Sequence, residues 1–167
     1  MILSFFFCQS CINTSKNDSL EENSLRKNFL VKFETLLQNR YQDKSIDPLK
    51  QLIVESNEKY PQIVFIDSVS QLGDSIWDII YYDDGSNYCI DFDGWYCGFM
   101  QQINNPEPWV KEYMDDVCSA KDISPIAVII ILEKARLSSL KGEKVRLLLA
   151  VHFTTLMLRI PLEGNVQ

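Results

Sequence analysis

Twelve carboxylates fall between residues 67 and 122 of this 167-residue chain, against only Lys111 and Lys121, and a hairpin there would bring Asp78 and Asp91 together. Paired carboxylates can do acid–base chemistry, because the like charge raises one pKa and keeps that group protonated as a general acid, as in glycoside hydrolysis. Nothing else in the chain completes such a site, since no GxSxG, Walker A, GxGxxG or HExxH signature occurs. A calcium loop with its glycine at Gly94 would need ligands at Cys89 and Met100, which excludes an EF-hand. The same residues support a second reading: Tyr82 and Tyr96 beside Asp78, Asp83, Asp84, Asp91 and Asp93 offer aromatic anchors ringed by charge complementary to a basic protein. A third is a solvated outer face whose carboxylates keep a sheet from pairing with others.

His152 is the only histidine and lies among the apolar residues of 147–158, so core packing is expected of it rather than partnership with a cysteine nucleophile. Of the five cysteines, Cys8 and Cys11 have no second CxxC and no His pair downstream, so no metal and no cofactor is expected. If Cys11 heads the mature chain, Cys89, Cys97 and Cys118 remain, and an oxidising compartment would permit one disulfide among them.

The first eleven residues, MILSFFFCQSC, are a short apolar run ending in a small residue and a cysteine, followed by a polar stretch from Asn13. They resemble a bacterial lipoprotein signal peptide. The resemblance implies cleavage after Ser10, lipid on Cys11, and a tether from Asn13 to Asp18 ahead of a single folded domain over 19–167. No Lys or Arg precedes the apolar run, which is shorter than the usual stretch of about 7 to 15 residues, and a start further upstream would supply both. The alternative is a cytoplasmic protein whose Ile2–Phe7 is a buried N-terminal strand.

The elements that would position these groups follow from period and punctuation. Ser19 with Glu22 forms a capping box, and Leu25, Phe29, Phe33, Leu37 and Tyr41 recur every fourth residue, which predicts a helix over about 20–40. Asp47-Pro48 opens a second over about 48–58. Period-two stretches at 63–67, 75–82, 87–92 and 95–101, separated by Gly- and Asp-rich turns, predict an antiparallel meander. A loop over 83–86 sets Tyr82 opposite Asn87 and Asp78 opposite Asp91, and a turn at Asp93-Gly94 sets Ile90 opposite Cys97. Cys89 and Cys97 then point to opposite faces, which disfavours a disulfide between them.

Beyond the Pro106 and Pro108 break, a helix over about 107–118 is expected, then one from Ser124-Pro125 to Gly142 and a last one over Glu143–Arg159. The two late segments are apolar over most of their circumference. Charges interrupt them too often for a membrane span, and a buried helical hairpin is expected instead. The fold expected is α+β, a four-stranded meander covered by N- and C-terminal helices.

Charge bounds the function. The chain carries net −7, with residues 1–66 neutral, 67–122 at −10 and 123–167 at +3. That argues against nucleic acid and for a basic protein partner. Small, acidic and exported, the chain is similar in general design to immunity proteins, which cover a secreted toxin's active cleft with complementary charge. The expectation is therefore a non-enzymatic, lipid-anchored envelope protein on the periplasmic side or surface. It would bind its partner through Asp78, Tyr82, Asp83, Asp84, Asp91, Asp93 and Tyr96. The alternatives are an envelope hydrolase using the aspartate pair, and a structural protein without a site.

Overall fold

The computed structural model describes residues 20–60, 81–83, 88–92, 95–138 and 140–159, with isolated positions between 62 and 72. Helix α1 spans Leu20–Arg40, and its four-residue apolar period puts Phe29, Phe33 and Leu37 in the core. Helix α2, Pro48–Lys59, starts where the Asp47 carboxylate accepts the Leu49 amide at 2.9 Å and Pro48 fills the first helical position, which needs no N–H. It buries Leu49, Leu52 and Ile53.

Two three-residue strands follow, β1 (Tyr81–Asp83) and β2 (Tyr88–Ile90), paired antiparallel. Helix α3 then runs Trp95–Gln101. Its last turn tightens as the Gln102 and Ile103 amides donate to Phe99 and Met100 carbonyls at 3.0 Å, and Asn105 turns the chain at φ 47°. Helix α4, Pro108–Ala120, has the strongest apolar face, with Trp109, Val110, Tyr113 and Val117 buried, and ends at Lys121 in the left-handed region, φ 50°.

Helix α5 opens at Ser124, whose hydroxyl accepts the Ala127 amide at 3.1 Å and donates to Asp116 at 2.5 Å. Its α-helical part is short, Pro125–Ile129, and continues as a π-helical turn over Ile130–Lys134 and a 3-10 turn over Ala135–Leu137. Gly142 at φ 99° reverses the chain into α6, Glu143–Arg159, whose Leu148 to Phe153 are buried without a break. One apolar cluster joins α1, α2 and all the later helices, and burying each large side chain in it contributes roughly 1.5–3 kcal/mol.

The described residues are mostly helical, which corrects the α+β expectation. The decisive segment is 95–101, a helix where a strand was expected. Its inward residues Tyr96, Phe99 and Met100 are spaced three and four apart, so a helical period was hidden in a run of mixed apolar residues. The expected strand at 63–67 forms no element at its described positions, Val64 and Ile66, although both are buried. Most of the strand expected at 75–82 lies outside the described residues. The ladder that does form pairs Tyr81 with Ile90, Tyr82 with Cys89 and Asp83 with Tyr88, a register two residues away from the one that sets 78 opposite 91. The helix expected to run to Gly142 ends at Leu137, where the π turn and the 3-10 turn give way to extended backbone at Ser138, ψ 171°.

Candidate functional site

The end of α1, the connection into α2 and the first turn of α6 enclose a cleft of about 650 Å³, lined by Gln38, Tyr41, Gln42, Ile46, Asp47 and Arg146 among others. Arg146 closes it. Its Nε donates to Glu34 and its Nη1 to Asp47, both at 2.5 Å, so one guanidinium joins α1, the cap of α2 and α6. Burial alone would push the Asp47 carboxyl up, yet hydrogen bonding and charge from Arg146, with the Leu49 and Lys50 amides, hold it below the usual carboxylate range. Burial would likewise lower Arg146, and the two carboxylates raise it instead.

Around the corner, Glu55 takes Lys59 Nζ at 2.6 Å, the Tyr41 hydroxyl at 2.7 Å and Arg40 at 3.2 Å. Its carboxyl falls to about 2, chiefly through the Lys59 hydrogen bond. Tyr41 is pushed up to about 12, first by burial and then by its bond to Glu55. These perturbed groups are perturbed by one another. Carboxylates held ionised and a phenol held neutral are stabilising pairs, and none is poised near neutral pH as a general base. Among the described residues no group of three His, Cys, Asp or Glu side chains is placed to hold a metal ion.

The residues singled out from sequence fare unequally. Cys11, Asp78, Asp84 and Asp93 lie outside the described residues. Tyr82 and Asp83 are in β1, and Asp91 follows β2 with its side chain half-buried. Tyr96 is a correction: it is fully buried in α3, with its ring edge-on to Phe92 at 5.9 Å, and cannot anchor a partner on an outer face. Met100, on the same helix, is fully buried too.

Sequence reading missed the outward side of α5. Ala127, Val128 and the first residues of the π turn face the core, while Ile126, Ile129 and Leu137 are 59%, 39% and 80% exposed. Helix α4 lies alongside, bridged to α5 by the ion pair of Lys134 with Glu112, and its exposed charges are Lys111, Glu112 and Asp115, with Glu107 at its N-cap. The available signal was the excess of apolar residues in 126–140 over what one buried face requires. No protein-family model matches the chain, and neither a curated protein nor a solved structure matches it. Among the described residues no helix is long and apolar enough to cross a membrane.

Proposed function

We propose that this is a non-enzymatic protein of the bacterial envelope, lipid-anchored at Cys11, that binds a basic protein partner through the outward side of α5 and the acidic edge of α4. The observation that supports it most is the exposure of Leu137, Ile126 and Ile129 on one helical segment beside exposed carboxylates. Apolar anchors with a charged rim are the composition of a protein interface, and the rim's sign selects a basic partner. In its narrower form the partner is a secreted basic toxin held inactive in a stoichiometric complex.

A photo-reactive side chain at position 137, introduced into the native host, tests the surface. It should trap one basic protein from the membrane fraction, and Asp115→Lys should reduce the trapping. Equal trapping from position 27 on α1, or an acidic partner, would refute the proposed face. The anchor is tested separately: Cys11→Ser should release the chain from membranes, and an unchanged fractionation would remove the lipid from the reading.

A further inference from the structure

Cys97 sits in the middle of α3 and Cys118 in the last turn of α4, and their Sγ atoms are 3.5 Å apart. We propose that these two thiols are an intrachain dithiol pair that closes to a disulfide. Both backbones are fixed by buried neighbours, Tyr96, Phe99 and Met100 around the first and Tyr113 and Val117 below the second. The sulfurs therefore meet because α3 packs on α4, not because a loop wandered there. A disulfide needs about 2 Å between sulfurs, a closure that side-chain rotation can supply.

Exposure assigns the order of events. Cys118 is exposed and Cys97 is half-buried, so a disulfide-bearing oxidant reaches Cys118 first. The Cys118 thiolate attacks one sulfur of that oxidant, forming a mixed disulfide and expelling the other sulfur as a thiolate. The Cys97 thiolate then attacks Cys118 Sγ, the second oxidant sulfur leaves, and the intrachain bond is made. Two electrons pass from the protein sulfurs to the oxidant's sulfur–sulfur bond, and the two protons released are taken up by its two thiolates.

The bridge would close a loop across 21 positions that contains the Asn105 turn and both prolines, tying α3 to the C-terminal end of α4. Restricting that much unfolded chain stabilises the fold. The inference is independent of the partner surface and of the lipid anchor.

The full-length protein, folded and reduced, is equilibrated with mixtures of reduced and oxidised glutathione, then alkylated and mapped by mass spectrometry. We expect a peptide linking Cys97 to Cys118, a loss of two hydrogens for that link, and a melting midpoint about 5 °C or more above the reduced form. Cys97→Ser should stop the sequence at glutathione on Cys118, because the resolving thiol is gone. A bridge from either residue to Cys89, or both thiols fully alkylated at the most oxidising ratio, would overturn the proposal. The wild-type map decides even if the variant does not fold. A failure here leaves trapping at position 137 unaffected, so the two readings fall separately.

Discussion

Tyr113 Oη lies 3.2 Å from His152 Nδ1, both side chains fully buried where α4 crosses α6, with the two rings edge-on at 5.5 Å. Burial lowers the imidazole to about 3, so it is neutral at ordinary pH, and burial also pushes the Tyr113 phenol up. The phenol and Nδ1 share one hydrogen bond whose direction follows the imidazole tautomer, and Nε2 has no hydrogen-bond partner among the described residues. The pair is a core contact, and it makes the protein acid-sensitive.

The unfolded chain takes up a proton on His152 below about 6.5, while the folded chain resists until about 3. The stabilisation is therefore complete above pH 6.5 and lost progressively as pH falls, at about 1 kcal/mol per pH unit. Urea melts from pH 7 to 4.5 should show that slope, and His152→Phe should flatten it. A slope unchanged in the variant would mean another group carries the acid sensitivity.

Glu55 titrates in a lower window. Its folded value of about 2 lies under the unfolded one, so its contribution is present above about pH 4.5 and disappears toward 2. The site is a quarter exposed, so the network is worth only about 1 kcal/mol at neutral pH. Glu55→Gln should cost about that much and bring the Tyr41 phenol down from about 12, read by NMR of labelled tyrosine ring carbons through an alkaline titration.

Arg146 should matter more. Arg146→Met removes the partner of Glu34 and Asp47 together and should cost about 2–3 kcal/mol in urea denaturation. Asp47→Asn keeps an oxygen for the α2 amides and should cost less than Asp47→Ala, which loses cap and ion pair alike. Equal costs for the two would show that the cap contributes nothing there.

The two sides of α5 should respond oppositely to substitution. Leu132→Ala opens a cavity in the core and should cost about 2–4 kcal/mol, whereas Leu137→Ser should stay within about 0.5 kcal/mol of the parent while weakening the partner complex.

Lys121 occupies the left-handed position that ends α4, where glycine has no side chain to strain. Lys121→Gly should raise stability by about 0.5–1 kcal/mol. Leu140, at φ 42°, is the opposite case because it is also buried: glycine there would relieve the backbone but forfeit a larger apolar contribution, and net destabilisation is expected.

Helices with both a cap and a period were readable from residue types alone. Asp47-Pro48 and Ser124-Pro125 start helices where expected, and Phe29, Phe33 and Leu37 of the four-residue recurrence are on the buried side of α1. What period could not resolve was 95–101, where nearly every residue is apolar or aromatic and alternation and helical spacing fit equally well. That one ambiguity moved Tyr96 from core to surface and hid the approach of Cys97 to Cys118. The cleft was unreadable for a different reason: it depends on one guanidinium meeting carboxylates about a hundred residues away, and no local pattern records that.

Those same separations bear on how the chain assembles. Glu34 and Asp47 leave the ribosome 112 and 99 residues before Arg146, and α6, which fills the centre of the core, is made last of the helices. The α1–α2 pair can form its local Arg40–Glu55 contact early, yet the part of α1 that packs on α6 stays uncovered until α6 arrives. Long-range contacts of this kind form late, after the loop-closure entropy between their partners has been met. The clamp made by Arg146 on α1 and on the cap of α2 is therefore among the late contacts of folding, formed only once α6 is in place.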